Sequence, residues 1–236
     1  MRRPPLAWLV LGGLLALSCK PDAAPKSTEA KAAASGFYLG RRIASTMSHH
    51  GAPWLTRAER DAEENTTLLH QQLGLRPGDT ACDFGAGNGY HTQRMAEAVG
   101  PSGEVLAIDI QPKMLALLQR RMRPLGLENV RPVLAKPDDA SLPDGACDLI
   151  LMVDVYHELN TPARTLSQLR RALRTEGLIA LVEFREEDPA VPIKPLHKMS
   201  KAQIMKEFTA NELSLRRSFD GLPWQHLMFF GPEARR

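Results

Sequence analysis

The chain has 236 residues, 43% of them apolar and 24% charged, with 30 basic and 27 acidic side chains. This composition supplies a full core for one domain and excludes a disordered or fibrous chain. A net charge of +3, without a like-charge run or an aromatic-basic stripe, gives no support for nucleic-acid binding through a basic face.

In chain order, Met1-Arg2-Arg3 is basic, residues 6–17 are apolar, and Ser18-Cys19 follows. The layout is that of a secretory signal and is short for a membrane span. Small Ser18 before Cys19 resembles a bacterial lipoprotein box. The expectation is a signal over 1–19 with Cys19 lipidated, anchoring the chain to the membrane of the bacterial cell envelope; an unused signal would leave it cytoplasmic. Residues 20–35, rich in Ala, Pro and Lys without an apolar face, read as a tether. Residues 36–57 mix aromatics, paired arginines and His49-His50, and are expected to form a lid before a domain over 58–236.

The domain alternates strand and helix signals. Helices are expected over 57–73, with Thr56 as cap, and over 90–99, 112–125, 161–174 and 201–210, with Pro112 and Pro162 in first turns and Ser200 as a cap. Strands are expected over 80–84, 104–109, 129–134, 147–153, 177–184, 212–219 and 225–230. The alternation implies an α/β fold, a doubly wound, mostly parallel sheet of seven strands, with the closing pair making one strand antiparallel. Only Cys82 and Cys147 remain beyond Cys19. Counted from neighbouring strand ends they fall several residues out of register, so both read as buried free thiols.

The chemistry concentrates at Asp83-Phe84-Gly85-Ala86-Gly87-Asn88-Gly89-Tyr90, a glycine-rich turn between a strand and a helix. Such a turn lets backbone amides approach a ligand. The dinucleotide pattern G-x-G-x-x-G is not met, because Gly89 falls one position early and Tyr90 takes the third glycine's place. Asp83 would repel a pyrophosphate and attract an amino-acid ammonium group. Both features disfavour a nicotinamide oxidoreductase. Twenty residues beyond Gly89, Asp109 ends the second strand, where a carboxylate can accept from ribose hydroxyls.

Over about residues 60–231 the chain resembles the class I S-adenosylmethionine-dependent methyltransferases, most of all the ubiquinone/menaquinone type. Asp83-x-Gly85-x-Gly87-x-Gly89 is similar to their first motif and Asp109 to their second. Asp138 before Leu142-Pro143 resembles the adenine-contacting segment, 149–154 the fourth-motif strand, and Leu173–Gly177 the turn before the fifth strand. The resemblance implies S-adenosyl-L-methionine as cofactor and methyl transfer to a small-molecule or lipid-like acceptor, or, as the alternative, an exported module that binds the cofactor without turnover. It implies cofactor contacts from Asp83, Gly85, Gly87, Gly89, Asp109, Ile110, Asp138 (or adjacent Asp139) and Asp154.

The loop Asp154-Val155-Tyr156-His157-Glu158 would border the methyl group. His157 reads either as a general base, its ordinary pKa being near neutral, or as a cap of the following turn. Tyr156 reads as a ring face for the sulfonium or as packing. Glu183 is a partner for His157 or Arg185. His157, Tyr156 and Glu183 are thus the catalytic candidates. No metal site is expected, since adjacent His49 and His50 project differently and no carboxylate spacing accompanies His197.

Overall fold

The computed structural model describes residues 36–233. They open with a short antiparallel hairpin, β1 (Phe37–Tyr38) and β2 (Arg41–Arg42), and a 3-10 segment, His49–Thr56. Two helices follow, α1 (Arg60–Glu64) and α2 (Thr66–Leu73). One continuous helix was expected here. The break lies at Asn65, which adopts a left-handed φ of 49° while its Oδ1 accepts from the Leu68 amide at 3.1 Å. Asp61 secures the turn by accepting from Thr66 Oγ1 and the Thr67 amide. An asparagine tolerates αL and caps well, so a short polar residue stops one helix and starts the next.

The alternating core follows as β3 (Thr80–Phe84), α3 (Tyr90–Val99), β4 (Glu104–Asp109), α4 (Pro112–Met122), β5 (Val130–Leu134), β6 (Cys147–Val153), α5 (Pro162–Ala172) and β7 (Leu173–Arg185). It closes with β8 (Lys198–Met199), α6 (Lys201–Thr209), β9 (Leu213–Phe219) and β10 (Gln225–Pro232). The sheet order is β5-β4-β3-β6-β7-β10-β9, with two-residue β8 beside β7. β10 runs antiparallel to both neighbours and the other pairs are parallel, as the alternation implied. β7 begins at Leu173, four residues before the expected start at 177, and truncates the preceding helix at Ala172.

Successive residues of the central strands serve opposite layers. Leu106, Ile108, Ile150 and Met152 join Leu166, Leu169, Ile204 and Phe208 on one face. Val105, Leu149 and Leu151 join Leu69, Met95 and Val99 on the other. The period-2 geometry of a strand thus makes continuous apolar runs from two separate cores. Because β4 and β6 flank β3, the chain reverses its winding direction at β3, and a crevice opens beyond the carboxyl ends of these strands.

Two expectations are corrected. Cys82 and Cys147 are joined in a disulfide with Cα atoms 6.0 Å apart. Asp83 of β3 pairs with Leu151 of β6 and is not level with Asp154, so counting from the strand ends overstated the offset: Cys82 pairs with Ile150, three residues from Cys147. The envelope localisation is also withdrawn. The described residues form a Rossmann-like domain, and none of their helices is long and apolar enough to cross a membrane. The segments 1–19 and 20–35, with Cys19, lie outside the described residues.

Candidate active site

A cavity of about 570 Å³ lies in the crevice, within the range of small-ligand sites. Gly85 and Gly87 form part of its floor. The amides of Gly85 and Ala86 both donate to the Ile108 carbonyl at 2.9 Å, which presses the turn onto β4. Asp109 completes the attachment: one carboxylate oxygen accepts from the Gly87 amide at 2.9 Å, the other from the Gln111 amide at 2.7 Å. Burial raises the Asp109 pKa against the pull of those amides. Gly87 has a φ of +54°, and a Cβ there would stand 2.8 Å from Leu55 Cδ1. Gly89 serves differently. A Cβ on it would strike Leu118 and Met122, so it lets α4 approach and does not line the cavity.

The other expected cofactor residues divide in the same way. Ile110 and Asp154 line the cavity. Asp83 does not; it is buried behind the turn and accepts from Thr92 Oγ1 at 2.6 Å, fixing the first turn of α3 to β3. Asp138 faces solvent 3.9 Å from Arg164, while neighbouring Asp139 lines the cavity. Asp154 has a left-handed φ of 51°; one oxygen accepts from Gln225 Nε2 at 2.7 Å and the other is buried without a partner among the described residues. Burial, followed by Glu64 and Glu183, pushes its pKa well up. An orphaned acceptor in a cavity wall is a position for a ligand donor.

Arg60 and Glu64 were missed in the sequence and both line the cavity. They are buried and four apart on α1, joined at 2.9 Å. Arg60 also donates to the Leu55 carbonyl at 2.8 Å, contacts His91 Nε2 at 3.0 Å and lies 4.4 Å over the Tyr90 ring. Arg57 reaches Glu64 from outside at 2.5 Å. The only sequence signal was their i, i+4 spacing on a helix ahead of the sheet, common on solvated helices too.

His157, Glu158 and His197 also line the cavity, as do Pro192 and Ile193. His157 Nδ1 lies 2.6 Å from Glu183 Oε2, and its amide donates to Glu183 Oε1 at 3.2 Å. Glu183 is fully buried, so its carboxylate fixes the tautomer with the proton on Nδ1 and the Nε2 lone pair directed away. That Nε2 lies 3.0 Å from His197 Nδ1. Burial opposes charge on His157, but Glu183 overcomes it and the pKa is held above its usual value. Glu158 is pushed up to about 7, chiefly by burial. Of the alternatives for Glu183, the structure therefore selects His157.

Tyr156 is corrected as a pocket residue. It is fully buried in the core, and its hydroxyl donates to Glu207 Oε2 at 2.7 Å, where Arg41 also pairs at 2.7 and 3.0 Å. It ties the β1–β2 hairpin, α6 and the loop after β6 together, and it stays outside the cavity lining.

The 36–57 segment crosses this cavity. Thr46, Met47, Trp54 and Leu55 line it. The Met47 amide donates to Glu158, Gln111 Nε2 donates to the Met47 carbonyl, and Asn88 Nδ2 donates to the Ala52 carbonyl. His49 and His50 contact each other at a ring separation of 4.0 Å on the 3-10 segment and do not join His197.

Residues 75–228 match a family model described as a methyltransferase domain (Methyltransf_31). An uncharacterised methyltransferase, YdaC of Bacillus subtilis, is 31% identical over 152 residues, covering 63% of this chain and 81% of YdaC. The ubiquinone/menaquinone biosynthesis C-methyltransferase UbiE of Pasteurella multocida is 28% identical over 142 residues, covering 59% of this chain and 53% of the enzyme. The chain thus spans about half the length of that relative. The crystal structure of a SAM-dependent methyltransferase from Aquifex aeolicus superposes with a TM-score of 0.74 at 23% identity, covering 78% of this chain and 98% of that one.

Proposed function

Because the chain belongs to the methyltransferase-domain family, we propose that it transfers the methyl group of S-adenosyl-L-methionine to a small-molecule acceptor in this cavity. The observation that carries the reading is one cavity lined both by the glycine turn, Asp109, Asp154 and Arg60 and by His157, which is backed by Glu183. The residues fit the cofactor. Asp109 would hold the ribose hydroxyls, and Ile110 and Asp139 would flank the adenine. The unpartnered Asp154 oxygen and Glu64 suit the ammonium, and the Arg60 guanidinium suits the carboxylate.

The bound cofactor supplies a methyl carbon already activated by a sulfonium, so the protein has mainly to align the acceptor and keep water out. Met47, Leu159, Pro192 and Ile193 surround the acceptor's apolar body, and the 36–57 segment acts as the lid. His157 Nε2 receives the acceptor proton while the other proton stays on Nδ1, hydrogen-bonded to Glu183, whose carboxylate holds the ring and stabilises the imidazolium. The acceptor atom is thereby left deprotonated, ready for the methyl group that the bound cofactor would supply.

Titration calorimetry with S-adenosylmethionine and S-adenosylhomocysteine, followed by labelled-methyl transfer in a small-molecule extract, tests this reading. Binding of both, with label in a low-molecular-weight product, is expected. Absence of binding refutes the site. Binding without any labelled product refutes the transfer.

A further inference from the structure

We propose that His157, Glu158 and His197 form a divalent transition-metal site in the wall of the cavity. This inference deepens the proposed function and rests on it for the position of the acceptor.

The three residues come from two separate segments. His157 and Glu158 sit on a 3-10 turn after β6, Tyr156–Glu158, and His197 ends another, Pro195–His197, after β7. The fold brings one ligand atom from each within 4.8 Å of the others. His157 Nε2 is 3.0 Å from His197 Nδ1 and 3.9 Å from Glu158 Oε1. Ligands at ~2.1 Å from an ion stand roughly 3.0–3.4 Å apart in octahedral or tetrahedral geometry. The 3.0 Å pair already fits, while the 3.9 Å pair must close by about half an ångström and a separation at the 4.8 Å limit by about 1.5 Å, movements open to side chains on two short turns.

The surroundings are also those of a metal site. A ligating histidine characteristically donates its other ring proton to a carboxylate, which fixes the tautomer and raises ligand basicity. Glu183 occupies that position on His157, at 2.6 Å and fully buried. Glu158 is oriented by the Met47 amide at 3.1 and 3.2 Å to its two oxygens. The cavity wall on the other side leaves room for an exogenous ligand. Two imidazoles and one carboxylate with open positions suit zinc, iron or cobalt better than magnesium or calcium.

Such an ion defines the acceptor class. An acceptor whose nucleophile is an ionisable oxygen coordinates the open position and loses its proton to solvent. With the ion in place, His157 Nε2 is a ligand and no longer the proton acceptor. The coordinated oxygen forms the new bond to the methyl carbon, and the carbon–sulfur pair leaves on sulfur, so no oxidant or reductant is needed.

The test uses tag-free, chelator-treated full chain. Cobalt(II) is titrated with visible absorption as the readout, and zinc(II) by competition. Saturation at one ion per chain with ligand-field bands is expected. His197→Ala should lose at least tenfold in affinity, and Glu183→Gln about 10–100-fold, the cost of removing such an outer carboxylate. Thermal unfolding and cofactor affinity are measured on each variant, which separates loss of metal from loss of fold. No cobalt binding by a chain that still binds S-adenosylmethionine overturns this inference alone. Cobalt binding unchanged in a folded His197→Ala variant also overturns it. Failure of the native chain to bind the cofactor overturns the proposed function instead.

Discussion

Asp83 offers a quantitative test of how the glycine turn is held. Its carboxylate is buried between β3 and α3 with Thr92 Oγ1 at 2.6 Å. Burial is the main cause that pushes its pKa from 3.8 to about 6; the Thr92 hydrogen bond opposes this and Asp109 adds to it. A raised acid pKa in the fold means that the folded state holds the proton where the unfolded chain has lost it. Below pH 3.8 both states are protonated and there is no penalty. Between 3.8 and about 6, stability falls as pH rises, and above about 6 the full penalty applies. A shift of about two units at ~1.36 kcal/mol each gives a penalty of about 3 kcal/mol. Asp83→Asn keeps an acceptor for Thr92 and cannot ionise. In cofactor-free protein, urea unfolding of both chains at pH 4, 5, 6 and 7 should show the variant gaining on the native chain by about 2–3 kcal/mol over that range. A stability difference that stays constant with pH would refute the reasoning.

Further outcomes follow from the same geometry. Asp109→Ala should weaken S-adenosylmethionine binding by about 1.5–3 kcal/mol, measured by calorimetry, since a charged acceptor is lost. Gly87→Val should weaken it more, because its φ is left-handed and a Cβ already meets Leu55 at 2.8 Å; unchanged affinity would place the cofactor elsewhere. Arg60→Met should reduce affinity for S-adenosylmethionine while leaving adenosine affinity unaltered, and equal losses for both would remove Arg60 from the carboxylate. Cys147→Ser opens a 65-residue loop and should lower unfolding free energy by about 4 kcal/mol, read by denaturant titration; no change between the oxidised native chain and the variant would show that the bridge does not form.

Much of the architecture was legible because its signals are local. The apolar runs of β3, β4 and β6, Pro112 and Pro162 in first turns, and Ser200 as a cap each act within a few residues of themselves, so the alternation and the mostly parallel sheet followed from the chain. The glycine turn and Asp109 were legible for the same reason: a positive φ and a strand-end carboxylate leave short, ordered traces. The break at Asn65 went unread because a polar residue inside an apolar stripe is compatible with either outcome until Asp61 and Leu68 supply its partners.

Contacts across the fold had no such trace, and tertiary structure alone decided them. Whether Tyr156 or His157 faces the cavity depends on which way a three-residue turn rotates, and the pairing of Tyr156 with Glu207, 51 residues away, sets that rotation. The Cys82–Cys147 bridge depends on the register of β3 against β6, which sets Asp83 beside Leu151 and which strand ends in the sequence do not reveal. Arg60 and Glu64 became cavity walls only when α1 docked against Tyr90 and His91. His197 met His157 across 40 positions because β7 and the loop after it return along β6. Sequence determines what each segment tends to become; which side chains share a cavity is set by the packing of segments far apart in the chain, where no local propensity operates.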